Sequence, residues 1–106
     1  MTGNEFDKVV KEQLEYCESL MTRKGEEYSG ENPDRLKVFK DAANLQGLTP
    51  KQALAGMMAK HTISVYDLIH RDAIGQPSSK ERWIEKITDS MNYLILLRGL
   101  IEEEDN

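Results

Sequence analysis

The stretch "EKITDSMNYLILL", residues 85–97, begins as a polar helical turn and ends in nearly unbroken hydrocarbon. Glu85, Asp89 and Asn92 fall one turn apart on a single helical strip. Behind them Tyr93, Leu94, Ile95, Leu96 and Leu97 leave no polar face. A helix that is apolar on every side must be covered on every side. This segment therefore predicts a helix in the interior of an all-helical assembly, and raises the question of what its polar strip faces.

The remainder of the chain reads as three more helices. Three prolines and seven glycines divide it, and no segment alternates in the period of two that marks a strand. Phe6, Val9, Val10, Leu14, Cys17, Leu20 and Met21 form an amphipathic stripe, with Thr2 and Glu5 as a capping box and Gly25 as the expected stop. Asn32 and Pro33 have the chemistry of an N-cap and first helical position for a short second helix whose face is Leu36, Phe39, Ala42 and Ala43, ended by Gly47. Thr49, Pro50 and Gln52 start a third helix in the same way, with a seam at Leu54, Met58, His61, Val65 and Leu68. Ser78 with Glu81 is expected to cap the fourth. The fold expected is all-α, a four-helix bundle-like single domain over residues 1–106. The acidic end from about residue 102 reads as a frayed tail, and a second subunit is expected to help cover the C-terminal helix.

Composition narrows the function. A chain of 106 residues with 39% hydrophobic and 31% charged residues has the make-up of one globular domain. A net charge of −5 without a dense basic block argues against a nucleic-acid polymer as partner, because phosphate backbones are repelled at long range. No apolar run approaches the ~20 residues that span a bilayer, and the N-terminus lacks a signal-peptide core, so a cytoplasmic protein without a membrane partner is expected. A single cysteine, Cys17, suits a reducing compartment and reads as core.

Two polar strips have the makings of a site. On the third helix Lys60, Ser64, Asp67 and Arg71 follow helical spacing beside the apolar seam, in which His61 sits. On the fourth, Glu85 and Asp89 are spaced as two carboxylates that Mg²⁺ accepts alongside phosphate oxygens and water. Antiparallel packing of these helices would enclose a pocket between the strips. In that arrangement Lys60 and Arg71 meet phosphate, Asn92 or Tyr28 reads sugar or base, and His61 or Asp67 orients water. The same residues also make ordinary helix-surface charges and a packed histidine. The loop "KGEEYSGENPDR" adds a tyrosine and carboxylates between glycines, where backbone amides approach a ligand closely.

The elements "KGEEYSG", "NPDRLKVFKDAA", "AKHTISVYDLI" and "EKITDSMNYLILL" resemble small phage and prophage proteins described as nucleotide-modification-associated. These carry a K-x-x-(D/E)-Y-(S)G element, here Lys24, Glu27, Tyr28 and Gly30, and a D-x-x-N-Y element, here Asp89, Asn92 and Tyr93. The order of helices is similar to the MazG-like all-α nucleoside triphosphate pyrophosphohydrolases. That resemblance implies a homo-oligomeric helical bundle that binds a nucleotide with Mg²⁺ and releases pyrophosphate. It implies substrate contacts at Lys24, Glu27 and Tyr28, with Asp89 as a metal ligand. The sequence departs from that group where Lys86 replaces an acidic residue, and where Lys60, His61 and Ser64 stand in place of the first acidic motif. A cationic residue there favours phosphate over a metal cluster. Three readings follow from the residues: a nucleotide-binding protein retaining pyrophosphohydrolase chemistry, a non-catalytic nucleotide or nucleotide-signal binder, and a structural helical module.

Overall fold

A computed structural model describes residues 1–29 and 34–104, with only the backbone given for 25–29. It holds four helices: α1 over Gly3–Ser29, α2 over Lys37–Gln46, α3 over Pro50–Ala73 and α4 over Lys80–Glu104. No strand occurs among the described residues.

Local chemistry sets most of the helix ends. Thr2 Oγ1 accepts from the Glu5 amide at 3.1 Å, which starts α1. Thr49 and Gln52 form both halves of a capping box with Pro50 at the first helical position. Gly47 terminates α2 in the left-handed region, φ 67°, and the Leu48 amide donates back to the Ala43 carbonyl at 2.9 Å. Gly75, φ 81°, does the same for α3: Gln76 N–H reaches Arg71 O at 2.8 Å and Gly75 N–H reaches Asp72 O at 3.2 Å.

Four boundaries differ from expectation. Gly25 does not stop α1, which runs on to Ser29. One glycine in a helix costs only about 1 kcal/mol against alanine, and the helix formers Glu26 and Glu27 follow it. Asn32 and Pro33 lie outside the described residues, but α2 begins later, at Lys37. There the Asp34 carboxylate accepts from the Leu36 amide at 2.9 Å, an Asx turn leading into the helix. The cap of α4 is Ser79 and not Ser78, its hydroxyl accepting from Arg82 N–H at 3.2 Å. The acidic end is helical through Glu104, because lysines from earlier helices meet it: Lys40 pairs with Glu103, and Lys51 lies 3.0 Å from Glu104.

α4 is the centre of the molecule, with α1 along one side and α3 along the other, and α2 packs on α3. The core joins Phe39, Leu54 and Leu100, lined by Leu36, Met57, Met58, Tyr93, Leu96 and Leu97. The apolar half of α4 is thus split. Tyr93, Leu96, Leu97 and Leu100 face the core, whereas Leu94 and Ile95 stand half exposed. On α1 only Cys17, Leu20 and Met21 of the apolar stripe are covered, and Phe6, Val9, Val10 and Leu14 are exposed. The radius of gyration is 16.1 Å, against about 13 Å for a compact domain of this length. The four helices thus form an elongated body in which the first half of α1 keeps its apolar face uncovered.

Candidate functional site

Between α1, α2, α3 and α4 lies a cavity of about 310 Å³. That is the lower end of the range for small-molecule pockets. Its apolar wall is Leu20, Met21, Val38, Phe39, Met57 and Leu96. Its polar groups are Lys24, Arg35, His61, Asp89, Asn92 and Tyr93.

α4 supplies the floor. Asp89, Asn92 and Tyr93 lie within one turn and a residue, so their side chains share a face. Asn92 is 7% exposed, and its Oδ1 has no hydrogen-bond partner. A buried unpaired acceptor costs about 1–3 kcal/mol, and such groups in native structures call for an explanation. Asp89 Oδ2 stands 3.7 Å from His61 Nδ1, beyond hydrogen-bond length.

α3 supplies His61, whose ring lies over Tyr93 with centroids 4.8 Å apart, while Phe39 meets Tyr93 edge-on at 6.4 Å. The three rings pack on one another, His61 stacked on Tyr93 and Phe39 edge-on to it from the core, so the aromatic contacts hold α2, α3 and α4 together beside the cavity. Burial holds the His61 pKa below the usual histidine value, Asp89 partly opposes that, and the cations Lys60, Lys86 and Lys24 reinforce it. The imidazole is therefore neutral at pH 7.

Two cations stand at the mouth. Lys24 comes from the C-terminal half of α1, and Arg35 from the turn before α2. Arg35 donates one of its N–H groups to the Met21 carbonyl at 2.7 Å, which ties the two segments together and fixes the guanidinium at the rim. Lys24 and Arg35 are the two cationic side chains among the described residues that line the cavity.

The polar strips separate in the fold. His61, Asp89, Asn92 and Lys24 converge on the cavity, and Lys60, Ser64, Asp67, Arg71 and Glu85 do not line it. Lys60, Asp67 and Arg71 are exposed, and the Ser64 hydroxyl donates to the Lys60 carbonyl at 2.9 Å within α3. The Glu85 carboxylate is 59% exposed and 3.8 Å from the Lys86 ammonium. Glu27 and Tyr28 lie outside the residues whose side chains are described. Arg35 and Phe39, which spacing alone did not mark as site residues, are brought in by the path from α1 to α2. Their signal was the position of "DRLKVF" directly after the glycine-rich loop.

The donor set bears on Mg²⁺. Among the described residues no group of three His, Cys, Asp or Glu side chains is placed to hold a metal ion. Among the described residues the cavity offers one carboxylate, Asp89, beside the Asn92 amide. One described carboxylate is fewer than a protein-held Mg²⁺ cluster uses to offset the charge. Comparison of the chain with family models, with curated proteins and with solved structures gives no match.

Proposed function

We propose that this chain binds a nucleotide, or a nucleotide-derived signal, in the cavity between its helices. One observation carries the reading: residues from two separate sequence elements, Lys24 from the first and Asp89, Asn92 and Tyr93 from the second, line one cavity whose buried Asn92 oxygen lacks a partner. The outer face of the stacked His61–Tyr93 pair takes a base, as base–aromatic contacts do at about 1–3 kcal/mol each. Asp89 and Asn92 read its edge, and Lys24 with Arg35 meets the phosphate. The same two elements carry the likeness to nucleotide-modification-associated and MazG-like proteins, which supports assigning the chain to that all-α type. The proposal stops at binding: among the described residues Asp89 is the carboxylate that lines the cavity.

The test is a thermal-shift and calorimetric screen of nucleoside mono- and triphosphates with Mg²⁺ and, separately, with EDTA. Saturable binding in EDTA is the expected outcome. Binding that vanishes without metal, or no binding at all, would overturn the reading.

We propose also that a second copy covers the α1–α4 face. The support is the exposed apolar row of Phe6, Val10, Leu14, Leu94 and Ile95, together with the elongated body. Sedimentation is expected to give a mass above the 12.1 kDa of one chain, and Ile95→Glu is expected to lower it. A wild-type monomer at 100 μM would exclude this.

A further inference from the structure

The outward side of α3 carries no charge. Ala53, Leu54 and Leu68 are buried on the side of α3 that meets α2 and α4. Opposite them, residues recurring every three or four positions stand exposed: Ala55, Gly56 and Ala59 in the first half, Ile63, Tyr66 and Ile69 in the second. The three large side chains are 59%, 68% and 51% exposed, and no Asp, Glu, Lys or Arg falls among them on this side. Where 31% of residues are charged, a solvent-facing side without one marks a contact surface.

Gly56 is a second, independent sign. It sits inside α3, where glycine weakens a helix relative to alanine. Nothing lies within 4 Å of the Cβ that another residue would place there, so packing among the described residues does not call for a glycine. A glycine that the single chain does not need fits the close approach of a second one.

We infer that this face of α3 packs antiparallel on the same face of a second copy. The contact is separate from the one proposed across α1 and α4, since α3 packs on α4 from the other side. Two features of the face make it self-complementary under a two-fold axis. Its first half is small and its second half large, so reversing one helix against the other sets large residues over small ones at both ends. The charges along its edge agree. Lys60 and Asp67, both exposed, lie seven residues apart on one edge, at equal distances from the midpoint between Ile63 and Ser64. Antiparallel alignment about that midpoint brings each Lys60 to the other copy's aspartate at 67. Parallel alignment would set lysine against lysine and aspartate against aspartate, which is repulsive.

The experiment is analytical ultracentrifugation of the full chain at 100 μM in an Ile95→Glu background, which removes the α1–α4 contact. A mass above the 12.1 kDa of one chain is expected to persist there. Lys60→Asp puts like charges opposite each other at two symmetric places and is expected to weaken association about tenfold. Adding Asp67→Lys exchanges the two charges and is expected to restore it, a rescue that only the antiparallel register gives. Gly56→Leu, which has room in the single chain, is expected to weaken association by about tenfold or more. A monomer in the Ile95→Glu background would overturn the inference and leave the face to a partner of another kind. A Lys60→Asp protein that is folded by circular dichroism and associates like its parent would also overturn it, as would a double exchange that restores nothing. The Lys60 and Asp67 exchange decides the matter alone where Gly56→Leu does not fold. Association that responds to Lys60→Asp but not to Ile95→Glu sinks the α1–α4 contact and leaves this one standing.

Discussion

Asp89 and His61 meet across the α3–α4 seam with 3.7 Å between carboxylate oxygen and ring nitrogen, yet His61 is neutral at pH 7. Burial beside Tyr93, with the ammonium groups of Lys24, Lys60 and Lys86 nearby, outweighs the attraction of Asp89 for an imidazolium. The sign of the linkage follows. A histidine whose folded pKa lies below its unfolded value of 6.5 binds fewer protons in the native state, so its contribution is complete above pH 6.5 and is lost as pH falls through the folded value. Melting temperatures of the wild-type protein are expected to decline from pH 7.5 to 5.5. His61→Phe, which keeps a ring against Tyr93 and cannot titrate, is expected to flatten that decline. Parallel profiles for the two proteins would contradict the assignment.

α1 is held to α4 by a polar contact as well as by packing. Gln13 Nε2 donates to Thr88 Oγ1 at 2.8 Å, and Thr88 is 3% exposed. Thr88→Val keeps the side-chain shape and leaves the half-buried Gln13 amide with only its 3.6 Å contact to Cys17 Sγ, a change that costs about 1 kcal/mol. Adding Gln13→Leu removes the stranded donor and is expected to recover much of that loss, so the pair is non-additive. Urea unfolding at one fixed protein concentration measures both terms. A Thr88→Val cost under about 0.5 kcal/mol would mean that the contact does not secure α1.

Arg35 and Lys24 are the cationic groups lining the cavity among the described residues, and their chemistry differs. A guanidinium engages phosphate in a fixed fork, whereas an ammonium acts as a compact charge. Hydrogen bonds to charged groups contribute about 1.5–3 kcal/mol, so Arg35→Ala is expected to weaken phosphate-bearing ligands by roughly tenfold or more. Arg35→Lys should restore only part of that. The free nucleoside should lose less than the nucleotide on either change. Equal losses for nucleoside and nucleotide would place Arg35 in a structural role, through its bond to the Met21 carbonyl.

The helices were legible because their signals are local. Thr2, Gly47, Thr49 with Gln52, and the face Leu36, Phe39, Ala42 and Ala43 act within a few residues of themselves, and all behave in the structure as their chemistry dictates. Gly25 and Ser78 were misread because neither signal is decisive alone: one glycine is tolerated inside a helix, and Ser79 has the same hydroxyl as its neighbour. The site was half legible. Spacing placed Asp89, Asn92 and His61 on inward faces, but the same spacing could not tell that Lys60, Asp67 and Arg71 stand in solvent. Which side of a polar strip turns inward depends on the crossing of α3 over α4, a tertiary property. Arg35 reaches the rim through a turn whose direction no periodicity encodes.

Asn92 separates the cost of the site from its use. Its Oδ1 is fully buried and unpartnered among the described residues, so this oxygen weakens the fold. Asn92→Leu, an apolar side chain of similar shape, is therefore expected to leave stability unchanged or raise it by about 1 kcal/mol. The same substitution should remove ligand-induced thermal stabilisation, because it takes the amide from the cavity wall beside Asp89. Gain in the apo melting temperature with loss of the ligand shift is the signature of a residue kept for binding. Should Asn92→Leu instead destabilise the apo protein by more than about 2 kcal/mol, the amide is holding the helices together and the case for a ligand at this position fails.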